Sequence, residues 1–267
     1  MLELTEVEYR YLGARTPALR GISLRLAPGE VVGLVGASES GKSTLCLVAA
    51  GLAPRFIGGT VRGTVMLDGQ ALGTLPPGEI AGRIGIVFQD PSSSLTGIMS
   101  TVFEEVAFGP MNLGLAREEV LARTDEALTA LRIEGLAARD PDHLSGGQRQ
   151  LVVLAGILAL RPDYLLLDEP TSELDPAGAR LVADAIARLA AAGGAILIAE
   201  HKTDLLARLC TRVIALRAGQ PALDGAADDV WHNPSLTDLG VDPPTRIRLA
   251  ILARAAGVDP RRLEAVG

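Results

Sequence analysis

Residues 31–52 read VVGLVGASESGKSTLCLVAAGL, and the reading of this stretch decides the fold. An apolar strand, VVGLV, runs directly into GASESGKST and then into an apolar helix. Residues 36–44 fit G-x-x-x-x-G-K-[ST], and strand–loop–helix is the context that pattern needs. Backbone N–H groups from Gly36, Ala37, Ser38, Glu39, Ser40, Gly41, Lys42, Ser43 and Thr44 can curl around phosphates, and the helix N-terminus adds positive potential. Lys42 is placed to reach the β- and γ-phosphates and Ser43 to offer its hydroxyl to Mg²⁺. A nucleotide with Mg²⁺ is therefore the expected ligand.

Outward from this loop the chain keeps alternating. LELTEVEY and ISLRL precede it with strand-like alternation, and TVMLDGQAL (64–72) and RIGIVF (83–88) follow as strands. Residues of about 100–140 have helical spacing, with Val120, Leu121, Leu128 and Leu131 on one apolar face. From 145 onward helices and strands alternate: GGQRQLVVLAGILAL, YLLLD, PAGARLVADAIARLA, AILIAE. Such alternation predicts a mostly parallel sheet covered by helices. After Gly219 the character changes to DDVWHNPSLTDLGV, the pair Pro243-Pro244, and a basic amphipathic helix TRIRLAILARAAG, read as an appendage over 226–267.

Bulk properties narrow the class. The 267 residues are 48% hydrophobic and 21% charged, with a net charge of −7. That is a globular composition, and the acidic balance argues against a general nucleic-acid partner. Cys46 and Cys210, far apart, read as buried reduced thiols, and His143, His201 and His232 are too scattered for a zinc site. The N-terminus MLELTEVEYR has no apolar signal region, and the longest apolar run, LVVLAGILAL (151–160), is too short to span a bilayer. A cytoplasmic protein is expected, one that docks on the inner face of a membrane.

Two further motifs carry chemistry. YLLLDEP (164–170) is an apolar strand ending in two acids; at the C-terminal edge of a parallel sheet Asp168 would help hold Mg²⁺, and Glu169 would polarise the attacking water. LSGGQ (144–148) places Ser145, Gly146, Gly147 and Gln148 at a helix start, a second anion-binding end. One γ-phosphate does not need two cradles in one chain, so the second points to a neighbour's nucleotide and a pair of chains with ATP between them.

GASESGKST, the Gln89 of VFQD, LSGGQ, YLLLDEP, TSELDP and the His201 of AEHKTD occur in the order that marks ATP-binding-cassette (ABC) ATPases, and the chain resembles that family over roughly residues 2–225. The resemblance implies a P-loop cassette: a mostly parallel sheet core, an antiparallel β-subdomain and a helical subdomain at about 92–160, within an ATPase domain of residues 1–225. It implies that Gln89 senses the γ-phosphate and Mg²⁺, that His201 contacts the γ-phosphate, and that Asp175 lies in a loop crossing the dimer interface. Tyr11 of YRYLG falls where the family stacks an aromatic ring on adenine, with Tyr9 as its competitor. Three positions depart from the family pattern: Glu39 for glycine, Leu151 after QRQ, and Glu173 for a small residue. They bear on whether both ATP sites of a pair turn over equally.

More narrowly, VFQDP followed by FEEVAFGPMNLGL (103–115) and a helix with REEV resembles the ATPases of energy-coupling-factor (ECF) importers. That resemblance implies a transmembrane coupling subunit and a substrate-capture membrane subunit as partners, a second ATPase subunit, and a small nutrient, either a vitamin, a vitamin precursor or a transition-metal ion. Val102, Phe103, Val106 and Phe108 are expected as apolar anchors, Glu104 and Glu105 as partners of basic residues, and Gly109-Pro110 as the end of the helix. The 226–267 segment resembles the C-terminal extension that helps pair the subunits. Two alternatives stay open: the ATPase of a conventional ABC importer, and a soluble non-transport ABC ATPase.

Overall fold

The computed structural model describes residues 1–91 and 94–256, so residues 92–93 of the expected helical region and 257–267 of the expected appendage lie outside the described residues. Two sheets organise the chain. Strands β1 (Leu2–Arg10), β2 (Leu19–Leu26), β4 (Thr60–Leu67) and β5 (Gln70–Ala71) form an antiparallel sheet in the order β2-β1-β4-β5. The second sheet has the order β10-β9-β3-β8-β7-β6. It comprises β3 (Val31–Val35), β6 (Ile84–Val87), β7 (Tyr164–Asp168), β8 (Ala195–Ala199), β9 (Arg212–Arg217) and β10 (Gln220–Ala226). All its neighbours pair in parallel except β10 with β9.

The near-continuous apolar runs of β3, β7 and β8 follow from burial on both faces. Val31, Leu165, Leu167, Ile196 and Ile198 point to one core, and Val32, Leu34, Leu166 and Leu197 point to the other. The second core holds helix α1 (Lys42–Ala49) and the inner face of the antiparallel sheet, including Leu2, Leu4, Leu26 and Leu67. Each fully buried aliphatic side chain of this kind is worth about 1.5–3 kcal/mol.

The first core is closed by α3 (Val102–Asn112), α4 (Arg117–Ala130), α5 (Gly146–Leu160) and α6 (Pro176–Ala191). The short helix α2 (Pro77–Arg83) leads into β6. Helix α7 (Thr203–Leu209) follows β8; α8 (Ala227–Trp231) and α9 (Thr245–Ala255) follow β10. Trp231, Leu236, Leu239 and Val241 are buried in the same core as the sheet, so the segment after 226 is packed into the cassette.

Helix α3 corrects three expectations. Val102 and Val106 are fully buried in the core, so neither is an outward anchor, while Phe103 and Phe108 are half-buried. Glu104 closes a capping box: Thr101 Oγ1 accepts its N–H, and its carboxylate accepts the N–H of Thr101. Glu105 is turned inward, accepting from Thr96 N–H and Thr96 Oγ1, each at 2.7 Å. Glu104 therefore caps the helix, and Glu105 fastens the loop before it.

Gly109-Pro110 does not end α3. Pro110 lacks an N–H, yet the last turn continues because Leu113 N–H reaches Gly109 O (3.1 Å) and Gly114 N–H reaches Met111 O (2.9 Å). The helix stops at Gly114, whose φ of +71° is left-handed. Gly109 serves packing: a Cβ there would lie 2.8 Å from Leu160 Cδ2, at the end of α5. In α4, Leu121 is exposed, and the buried stripe is Val120, Thr124, Ala127 and Leu128. Thr124 is tolerated inside because its hydroxyl donates to Val120 O at 2.8 Å.

Candidate active site

Parallel pairing brings the C-terminal ends of β3, β6, β7 and β8 to one edge, where open α/β sheets bind ligands. The phosphate loop leaves β3 at Gly36, where a Cβ would lie 2.4 Å from Leu216 O and 2.6 Å from Ser40 Oγ, so only glycine fits. Gly41 enters α1 with φ +108°. Lys42 is buried, and its ammonium donates to Gly36 O (2.9 Å) and Ala37 O (3.1 Å), bridging the mouth of the loop. Burial holds its pKa below the usual lysine range, an effect opposed by the Glu169 and Asp168 carboxylates. Ala37, Ser38, Glu39 and Ser43 are exposed, Gly41 is half-buried, and Ser40 and Thr44 are buried. Glu39 occupies a left-handed backbone position (φ 61°), the conformation that glycine adopts at no steric cost.

The two aromatic candidates separate clearly. Tyr9 is wholly buried, and its hydroxyl donates to Gly58 O at 2.6 Å. Tyr11 is half-buried, packs edge-on against Tyr9, and its hydroxyl lies 3.0 Å from Thr44 Oγ1 in the phosphate-loop helix.

At the end of β7, Asp168 is buried, and its Oδ1 has no hydrogen-bond partner among the described residues. Burial raises its pKa; the hydroxyl of Ser43 pulls it back, Glu169 raises it further, and Lys42 lowers it. Glu169 takes a left-handed backbone (φ 50°), fixed by its N–H bond to Ala199 O at 2.8 Å. Its carboxylate then meets two side chains from different strands. Gln89 Nε2, after β6, donates to Oε2 at 3.3 Å, and His201 Nε2, after β8, lies 3.2 Å from Oε1. Two side chains 112 positions apart thus meet on one carboxylate, with Lys42 and Asp168 adjoining.

A supporting layer was not singled out from sequence. Buried Glu200 accepts from His201 N–H (2.8 Å), Lys202 N–H (3.2 Å) and the Thr171 hydroxyl (2.6 Å). Lys202 Nζ donates to Thr171 O at 2.6 Å, and buried Gln150 donates from α5 to Pro170 O at 3.0 Å. These bonds tie the loops after β7 and β8 to each other and to α5. Glu200 stands beside the His201 of AEHKTD, but a strand-end acid gives no sign of inward direction until the fold is known. The turn at Gly240 also reaches the site: a Cβ there would lie 3.2 Å from Ala37 Cβ.

Ser145 caps α5 in a capping box with Gln148: Gln148 N–H donates to Ser145 Oγ (3.3 Å), and Ser145 N–H donates to Gln148 Oε1 (3.1 Å). Gly146 and Gly147 form the first turn. No hydrogen bond among the described residues joins 145–148 to the phosphate loop. Asp175 caps α6, accepting from Gly178 N–H at 2.7 Å. Exposed apolar side chains include Ile98 (72% exposed) just before α3, Met111 (60%) within it, and Phe56 (64%) beyond α1. No described helix is long and apolar enough to cross a membrane.

Comparisons with known proteins agree with this fold. The family model described as ABC transporter matches residues 19–172. A putative ABC transporter ATP-binding protein of Pyrococcus horikoshii is 37% identical over 98% of this chain and 92% of its own length. The energy-coupling factor transporter ATP-binding protein EcfA of Methanothermobacter thermautotrophicus is 37% identical over 88% of the chain and 74% of its own length. The EcfA of Enterococcus faecium is 36% identical over 97% and 91%. Among solved structures, CbiO1 of Clostridium perfringens, part of the ABC transporter complex CbiONQ, superposes with a TM-score of 0.77 at 30% identity, covering 96% of this chain and 98% of its own. A dimeric ATP-binding cassette in a post-hydrolysis state with ADP and Pi gives 0.75 at 28% identity, covering 85% and 99%.

Proposed function

The chain belongs to the ABC transporter ATP-binding family and is an ATPase of that family; from that premise we propose that it powers an energy-coupling-factor importer of a small nutrient. The relatives named EcfA and the CbiO1 neighbour support the importer type. The nutrient is a vitamin, a vitamin precursor or a transition-metal ion, and it is bound by other subunits.

The observation that carries the catalytic reading is the meeting of Gln89 and His201 on the Glu169 carboxylate, beside Lys42 and Asp168. Glu169 polarises the attacking water and takes up its proton. Lys42 exchanges its two loop carbonyls for phosphate oxygens, and the loop N–H groups hold the remaining ones. Tyr11 lies under the adenine. His201 faces the γ-phosphate, and Gln89 carries the state of the site toward the helical region. A buried, unpartnered carboxylate oxygen on Asp168 next to the Ser43 hydroxyl suits a hard, oxygen-liganded cation. Ser43, Asp168 and Gln89 would hold Mg²⁺, which when bound neutralises charge on the phosphates.

Two such chains, or this chain and a second ATPase subunit, close around ATP, with Ser145, Gly146, Gly147 and Gln148 of one facing the phosphate loop of the other and Asp175 at the crossing. The cassette works in the cytoplasm, peripheral on the inner face of the membrane. Its docking surface toward the transmembrane coupling subunit is placed at α3, where Ile98 just before the helix and Met111 within it are exposed and Phe103 and Phe108 are half-buried. The test is a pull-down of tagged protein from gently solubilised native membranes, with the co-purified chains identified by mass spectrometry. A small multispanning coupling protein together with a compact substrate-capture protein is the expected result. A permease that depends on a separate binding protein would overturn the importer type in favour of a conventional system.

A further inference from the structure

Glu173 stands in the loop between β7 and α6, four residues beyond Glu169, and has no part in the chemistry above. Its place is set by backbone packing. A Cβ on Gly147 would lie 3.1 Å from Glu173 O and 3.6 Å from Leu174 Cδ2, so the loop is pressed against the first turn of α5. From that base the side chain reaches over Gly146, where a Cβ would lie 2.7 Å from Glu173 Oε2. The first turn of α5 is an anion-seeking surface. Of its leading N–H groups, Gln148's is taken by Ser145 Oγ, and those of Gly146 and Gly147 have no acceptor among the described residues. The only acid placed over those glycines by the described packing belongs to the chain itself.

We propose that Glu173 is an affinity-setting residue of the shared ATP site: its carboxylate lies beside the glycines whose N–H groups the γ-phosphate held by the partner chain must reach, so its charge opposes ATP-driven pairing. The inference rests on the reading that ATP is sandwiched between two chains. It follows from two constraints. The side chain can swing outward, since it is exposed, but its backbone is locked to the α5 start, so its charge stays within a side-chain length of the incoming phosphates. A like charge at that range in a partly solvated site opposes the triphosphate, and the opposition is weakened by salt. The cost falls on the phosphate contributed across the interface; nucleotide binding by a single chain, through residues 36–44, is untouched.

The experiment compares Glu173→Gln and Glu173→Ala with the parent, each carrying Glu169→Gln so that ATP is not consumed. Pairing is followed by light scattering on a sizing column across an ATP titration, at low and high salt. Binding of a fluorescent ATP analogue to the dilute single chain serves as the control. Both variants are expected to pair at an ATP concentration about tenfold lower than the parent at low salt, with the gap narrowing at high salt. Control binding should be equal. If Glu173→Gln pairs at the parent's ATP concentration, the charge is not the determinant and the proposal fails. If both variants pair less readily, Glu173 is a structural contact and the proposal again fails. If no protein pairs although all bind the analogue, the sandwich reading itself falls, and the inference with it.

Discussion

Glu169 sits in a left-handed backbone conformation, at a cost of about 1–3 kcal/mol for a residue other than glycine. Its N–H bond to Ala199 O holds it there, which aims the carboxylate between Gln89 and His201 rather than into solvent. Glu169→Gln should keep that geometry and ATP binding while lowering turnover by about 10²–10⁴-fold, and ATP-bound pairs should accumulate. Phosphate release and sizing chromatography check this; unchanged turnover would remove Glu169 from its role. Asp168 differs, because burial raises its pKa. An acid whose native value lies above its unfolded value destabilises the fold when ionised. The penalty is absent below the unfolded value, grows as pH rises from there toward the native value, and is complete only above it. Asp168→Asn should therefore melt above the parent at neutral pH, with the difference shrinking as pH is lowered, while hydrolysis is lost. A difference independent of pH would show that the buried charge is not its source.

Helix α3 shows how one element divides its duties. Thr101 and Glu104 cap it, Val102 and Val106 bury into the core, and Glu105 fastens the preceding loop through Thr96. Removing the last with Glu105→Ala leaves the Thr96 N–H and hydroxyl without their acceptor, at a cost of about 2 kcal/mol. Urea unfolding measures this, and a change within error would mean that water replaces the carboxylate freely. The exposed flank of the helix is a separate matter. Ile98→Asp with Met111→Asp should leave the melting temperature nearly unchanged and reduce recovery of the protein with membranes; undiminished recovery would place the docking surface elsewhere.

Across the whole molecule, the tail is tied to the catalytic edge. Thr245, at the start of α9, donates through its N–H (2.8 Å) and hydroxyl (2.6 Å) to Asp204 in α7, close behind His201. Gly240 rests on Ala37 of the phosphate loop. Helix α9 then presents Leu249 and Leu252 outward. Substituting both with Asp should weaken pairing of the subunits at low ATP without disturbing nucleotide binding by the single chain. Pairing measured by sedimentation decides this, and unchanged association would confine the tail to capping its own cassette.

The sequence by itself determined the cassette: the loop at 36–44, the acids at 168–169 and the helix start at 145–148 are local patterns, each legible because a short run of backbone makes the phosphate cradle, strand end or cap. It also carried Gln89, His201, Asp175 and Tyr11 through the family pattern. The meeting of Gln89 and His201 on Glu169 depended on the tertiary structure, because strand order β3-β8-β7-β6 is a long-range choice. Packing between distant segments likewise decided that Glu200 and Gln150 turn inward and that Tyr9 is core. For FEEVAFGP the pattern misled: helical spacing distinguishes two faces, yet only packing against α5 and the loop at Thr96 reveals which face is the inside. A residue's type can be read from local sequence, but its direction is set by whichever distant segment excludes water from it.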